Sequence, residues 1–185
     1  MRYSTGMRAA AIGLVVVALA LGATAASAGR DAARCSASRL SPKLPVQKLP
    51  ARVASMRARI ARAAVACDYA ALERLARERG RSFEFSFGAE RSPAAYWRRL
   101  EQTRQDDPLA KLVGILRLRF TRDRTGAYAW PSAYRLKPTK VDWDALVGVY
   151  SRAQVNQFRK SKIGYYGYRA GISRAGDWRF FVAGD

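Results

Sequence analysis

Histidine is absent from all 185 residues. Without it neither a Ser-His-Asp nor a Cys-His mechanism can be assembled, and the commonest zinc ligand is missing. Cysteine is nearly as scarce. Cys35 and Cys67 stand thirty-two positions apart, and without histidine they make no metal site. No Gly-rich phosphate loop of the GxxxxGK or GxGxxG type occurs. Acidic side chains are few, 14 against 34 basic ones, for a net charge of +20. Beyond the first 28 residues no run is apolar enough to cross a membrane, and no internal repeat is visible. A reading with no cofactor and no metal follows.

What is present begins with an address. Arg2 and Arg8 form a positive start, Ile12 to Ala25 an apolar run, and Ala26-Ser27-Ala28 a small-x-small cleavage pattern. The run is shorter than the roughly 20 residues that span a hydrocarbon core, so residues 1–28 read as a cleaved signal peptide. A twin-Arg pair is missing, which points to the general secretory (Sec) route and a periplasmic or secreted product. Arg34 does not suit a lipobox, so Cys35 is not read as a lipidated cysteine.

Cleavage after Ala28 leaves 157 residues, enough for one domain with a core. It removes two Arg, so the mature part carries 32 basic and 14 acidic side chains, or +18. Such a charge attracts polyanions: outside the cytoplasm an acidic glycan, lipopolysaccharide or anionic lipid, with no specific nucleic acid implied. The alternative is compositional, since Arg far outnumbers Lys and Ala is abundant, as a GC-rich genome would give. The two thiols in an oxidising compartment suggest a Cys35–Cys67 disulfide. Against it, Cys67 continues an apolar helix stripe and could be a plain buried thiol.

Residues 29–49, with Pro42 and Pro45, read as an extended arm, and 50–185 as a single globular α+β domain. Pro50 opens a first helix, with Val53, Met56, Ile60, Ala64 and Cys67 at helical spacing. Asp68 caps a second, with Tyr69, Leu72, Leu75 and Ala76 inward and Gly80 as its stop. Ser82–Phe87 alternates Phe with polar residues and reads as a strand. Ser92-Pro93 and Asp107-Pro108 open the third and fourth helices. The third buries Tyr96, Trp97 and Leu100, the fourth Leu109, Leu112, Val113 and Leu116. Leu116–Arg122 carries both helical and alternating patterns; the helix is expected to end near Leu118. A short strand at Ala127–Trp130 follows the turn at Asp123–Gly126. Asp142 caps a fifth helix bearing Trp143, Leu146, Val147 and Tyr150, and Ser151 with Gln154 a short sixth. The strands Ile163–Ile172 and Trp178–Ala183 close the chain as a hairpin, with Tyr166, Tyr168, Ile172, Trp178, Phe180 and Val182 as inward candidates. The predicted fold is α+β, with helices packed on a small, mainly antiparallel sheet.

For catalysis only carboxylates remain. Glu84, Glu90 and Glu101 are the candidates, though acids in such positions are more often exposed partners for Arg. For binding, Tyr165, Tyr166, Tyr168, Arg169, Trp178, Arg179 and Phe181 interleave rings and charge on the terminal hairpin, where they could stack sugars and pair with anions. In a hairpin, half of them must be core. Arg117, Arg119, Arg122 and Arg124 form a second basic strip, of the kind that usually lines a solvated face.

The closing words Gly164-Tyr165-Tyr166-Gly167-Tyr168-Arg169 and Gly176-Asp177-Trp178-Arg179-Phe180-Phe181-Val182-Ala183-Gly184-Asp185 resemble a tail of uncharacterised exported bacterial proteins, as do the Phe-rich strand ending at Gly88 and the Tyr96-Trp97 helix start. That resemblance implies no activity. The order of paired helices, strand, helix and final aromatic strands is also similar to the nuclear-transport-factor-like (NTF2-like) fold. Its cone often holds a ligand pocket, and the two helices between Ala127 and the hairpin depart from its layout. The expected function is an exported, non-catalytic binding or interaction protein for an acidic envelope polymer or a small ligand. The alternative is a carboxylate-dependent cell-envelope hydrolase.

Overall fold

The computed structural model describes residues 35–78 and 83–184, so the signal segment, its cleavage site, Gly80 and Ser82 lie outside the described residues. Four helices form one layer. Pro50, with its φ fixed near the helical value, precedes α1 (Ala51–Val65), whose Val53, Met56, Ile60 and Ala64 are buried at helical spacing. Cys67 takes a positive φ (55°) just past α1 and bonds to Cys35, so the disulfide expected from the sequence is present. The Asp68 side chain caps α2 (Tyr69–Arg77) by accepting the Ala71 N–H at 2.8 Å. Ser92 does the same for α3 (Pro93–Gln102), and Pro108 starts α4 (Pro108–Arg117). Tyr96 is half-buried, while Trp97 and Leu100 are buried.

The helices pack on an antiparallel sheet ordered β1 (Thr121–Arg122), β2 (Tyr128–Trp130), β3 (Arg169–Ile172) and β4 (Trp178–Val182). The fold class is therefore α+β, as read. The double pattern at Leu116–Arg122 resolves into both elements: α4 ends at Arg117, Leu118 is extended and β1 begins at Thr121.

Three elements differ from expectation. Among the described residues of the Phe-rich segment only Glu84 pairs, in a parallel bridge to Phe180; its N–H reaches the Arg179 carbonyl at 3.1 Å and its carbonyl takes the Phe181 N–H at 2.9 Å. Bends over 87–89 then carry the chain off the sheet, leaving Phe83 and Phe85 on the core and Phe87 exposed. The fifth helix is α5 (Lys140–Asp144), capped by Thr139 rather than Asp142, which sits at the third helical position of a capping box. It stops early and Val147 is partly exposed, because the chain reverses through Gly148 at a φ of +110°. Finally, β3 begins only at Arg169: Gly164 is left-handed (φ +79°), and the Tyr168 backbone is held by side chains instead of a strand. Its N–H donates to the Tyr150 hydroxyl at 2.7 Å, and its carbonyl accepts the Tyr165 hydroxyl at 2.7 Å. Burial pushes the Tyr150 phenol up to about 12 and Tyr165 well above its ordinary value.

Tyr150 and Tyr165 belong to a second, smaller core with Ala133, Trp143, Leu146, Val155 and Phe158, built on α5 and α6 (Arg152–Lys160). Val149 packs against both cores. Asp142 anchors this unit. Burial alone would raise its carboxyl, but bonds from the Ser132 hydroxyl and from the Thr139 N–H and hydroxyl, with Arg135 at 3.6 Å, hold it below the usual range.

Residues 35–49, the described part of the extended arm, lie against the domain. Cys35 and Ala37 are buried, and Leu40, Leu44 and Leu49 pack on the main core. Three polar clasps hold this segment. Ser36 bonds to Glu101. The buried Arg57 donates to the Pro45 carbonyl at 3.0 Å and twice to the Leu116 carbonyl, at 3.0 and 2.6 Å. Gln47 donates to the Leu118 carbonyl and accepts the Trp130 indole N–H. Burial lowers Arg57 to about 10. It lies at the C-terminal end of α4, where the helix dipole favours a cation.

Candidate functional site

The terminal hairpin decides which side chains face outward. Its link, Ser173–Asp177, turns through Gly176 at a φ of +94°. Opposite it, the register slips: Gly171 faces Phe180, yet Ile172 faces Trp178, leaving Arg179 as the extra residue of a bulge. A bulge shifts the alternation by one. Trp178 and Phe181 therefore both turn inward onto Trp97, at ring separations of 5.7 and 5.4 Å, instead of Trp178 and Phe180. Phe180 lies half-buried on the other face.

The seven hairpin residues proposed for binding separate. Tyr165, Tyr168 and Trp178 are buried, and Tyr168 stacks on Phe181 at 4.8 Å. Rings without exposed faces cannot stack a ligand. Tyr166 is half-buried and packs on Phe158 in the second core. Arg169 and Arg179 alone are brought together, on the wall of a depression of about 320 Å³ in the outer sheet face. Arg179 is exposed on the bulge. Arg169 is only 8 % exposed; its guanidinium lies 5.3 Å from the Tyr134 ring centre and donates through Nη1 to the Gly184 carbonyl at 2.6 Å. Among the described residues its Nε and Nη2 have no hydrogen-bond partner and no carboxylate pairs with it.

The rest of the wall is Tyr134, Phe180, Val182, Thr125, Glu84 and Asp123. Tyr134 and Phe180 meet edge to face at 6.2 Å. The Phe180 ring rests on Gly171, where a Cβ would lie 2.1 Å from it, so only glycine permits this placement. The Asp123 carboxylate is already engaged, accepting the N–H groups of Thr125 and Ala127 and the Thr125 hydroxyl. Sequence reasoning missed Tyr134, Phe180 and Asp123 because they reach the depression from different strands and turns. The Asp123–Gly126 turn was legible, but its position over the hairpin was not.

The three candidate acids take separate roles. Glu84 and Glu90 share the rim of a second depression, of about 380 Å³, beside Arg77 and Arg91. Both are exposed. A hydrogen bond from Ser86, aided by Arg99, holds the Glu90 carboxyl low, the opposite of what a general acid needs. Glu101 is buried elsewhere. It accepts the Ser36 N–H, the Ser36 hydroxyl at 2.6 Å and the Leu109 N–H at 3.1 Å. Burial raises its carboxyl, with those bonds only partly offsetting it. Since Asp107 makes no side-chain cap, Glu101 and Ser36, whose hydroxyl accepts the Ala110 N–H at 2.9 Å, supply the missing cap of α4. The acid is a structural clasp.

In the basic strip, Arg117 donates to the Ser41 carbonyl, and Arg122 donates to the Gly126 carbonyl and covers the Tyr128 ring at 3.8 Å. Among the described residues no helix is long and apolar enough to cross a membrane, and no group of three or more His, Cys, Asp or Glu could hold a metal ion. No protein family, curated protein or solved structure matches the chain.

Proposed function

We propose that this chain is an exported, non-catalytic binding protein whose target is an acidic glycan of the cell envelope, lipopolysaccharide included, engaged through the outer face of its sheet. The observation that carries the reading is Arg169: a side chain only 8 % exposed, backed by an aromatic ring, whose Nε and Nη2 have no hydrogen-bond partner among the described residues and are not enclosed, on the wall of a depression that also carries Arg179. A guanidinium held in place by a carbonyl and a ring, with donors open to the depression, is pre-set to pair with a bound anion. The disulfide supports an oxidising, extracytoplasmic setting.

Bulk charge alone would also retain the protein on a polyanion, so the test compares two exposed cations of equal charge. Arg179→Gln alters the bulge, and Arg62→Gln alters the outer face of α1. On immobilised polygalacturonate we expect Arg179→Gln to weaken binding about fivefold more than Arg62→Gln, on the order of 1 kcal/mol. Equal losses would mean that binding is diffuse and the sheet face is not a site.

A further inference from the structure

The charges around the depression narrow its ligand further, on the strength of the reading just proposed. Arg169 and Arg179 are balanced by Glu84 and Asp123, so the wall has no net charge. A dianion such as a phosphate monoester gains little from such a wall, because each guanidinium attraction is matched by a carboxylate repulsion. A monoanion that also carries hydroxyl groups meets a complement at every position. Its carboxylate matches the planar fork of a guanidinium. Its hydroxyls can donate to Glu84, whose side chain accepts no hydrogen bond among the described residues. The apolar side of a saturated ring fits the Tyr134–Phe180 wall. About 320 Å³ is at the small end of ligand-sized sites, room for one ring.

The geometry points to a site for a single carboxylated hexose: Arg169 and Arg179 take the carboxylate, Tyr134 and Phe180 the ring, and Glu84 the hydroxyls. Sugars of this class occur within acidic glycans, so the depression reads one residue of the polymer while the remaining basic surface holds the chain. The specific contact is then only weakly dependent on salt, whereas retention of the polymer is strongly dependent on it.

Titration of the 29–185 chain, followed by NMR, with glucuronate, glucose and glucose 6-phosphate separates the possibilities. Glucuronate is expected to shift the Arg169 Nε–H and the Gly171 and Phe180 amides saturably, with glucose binding about tenfold or more weakly and glucose 6-phosphate no more tightly than glucuronate. Arg169→Lys, which keeps the charge and loses the fork, is expected to cost about tenfold. If that variant does not fold, Arg179→Gln on the exposed bulge answers instead, with about a threefold loss. Glu84→Gln is expected to weaken glucuronate and glucose by the same factor. Tighter glucuronate binding by that variant would show that Glu84 only repels, and would overturn the assignment. So would stronger binding of the phosphate sugar, or shifts confined to other surfaces. If polygalacturonate retention depends on Arg179 while glucuronate shifts nothing in the depression, the acidic-glycan reading stands and the single-sugar site falls. Retention indifferent to Arg179 would remove the former reading, whatever glucuronate does.

Discussion

Replacing Glu101 by Gln tests the clasp that joins the disulfide-bonded turn to α4. The carboxylate serves three donors from two segments, and both of its oxygens accept. An amide of the same shape can accept at only one position. In either orientation, the Ser36 or the Leu109 N–H is left facing an NH2 group, buried without an acceptor. Such an orphan costs roughly 1–3 kcal/mol. At about 2 kcal/mol and 2–4 °C per kcal/mol for a domain of this size, the melting temperature should fall by about 4–8 °C. The pH dependence carries a second, independent sign. Burial raises the Glu101 carboxyl in the folded state, so the favourable contribution of its protonated form is fully present below the unfolded value, about 4.3, and is lost as pH rises through the higher folded value. Gln does not titrate. The gap between wild type and Glu101→Gln should therefore be widest near pH 4 and narrower at pH 7, measured by calorimetry on the disulfide-intact protein. A variant as stable as wild type at pH 7, where the ionised carboxylate accepts at both oxygens, would refute the clasp, and a gap that widens with pH would refute the raised carboxyl.

Two further outcomes follow from the same packing. Replacing both Cys35 and Cys67 by Ser should lower stability by about 3–4 kcal/mol in denaturant titrations, the loop-closure entropy for a sequence separation of 32, and a loss below about 1 kcal/mol would show that the polar clasps alone hold residues 35–49. Gly171→Ala should displace the Phe180 ring from the outer face, costing about 1–3 kcal/mol, with chemical-shift changes concentrated around Tyr134; unchanged shifts there would contradict the close approach of ring to backbone.

What could be read from the sequence was local. Caps at Asp68, Ser92 and Ser151, with apolar residues at helical spacing, placed three helices because each signal acts within a few residues of the bond it makes. The hairpin turn at Gly176 was legible for the same reason. Failures came where a distant partner decides. Phe83, Phe85 and Phe87 alternate as a strand should, yet only Glu84 finds a neighbouring backbone to pair with. Thr139 displaced Asp142 as the cap because Asp142 is drawn inward to Ser132, ten positions away. Trp178, Phe180 and Val182 share one parity, and a single bulge at Arg179 put Phe181 in the core in place of Phe180. That slip exchanged Phe180 and Phe181 between the two faces, since ring exposure on a strand is a matter of phase.

The same slip explains why the basic residues of the hairpin are not interchangeable. With regular pairing, Arg179 would stand opposite a β3 residue and be fixed by its neighbours. As the bulge residue it is turned outward near the hairpin's turn, while Arg169 pairs with Val182 at the open end, and both line the same depression. Arg169 is held from three sides: by the Gly184 carbonyl, by the Tyr134 ring and by Phe87 at 6.0 Å. One cation is thus pre-organised and mostly buried, and the other is exposed. A pre-organised guanidinium loses little entropy when it meets an anion, so it sets geometry, while the exposed one chiefly adds long-range attraction. On this argument changes at Arg169 should appear in the dissociation rate and changes at Arg179 in the association rate and its salt dependence, a division that bulk charge cannot produce.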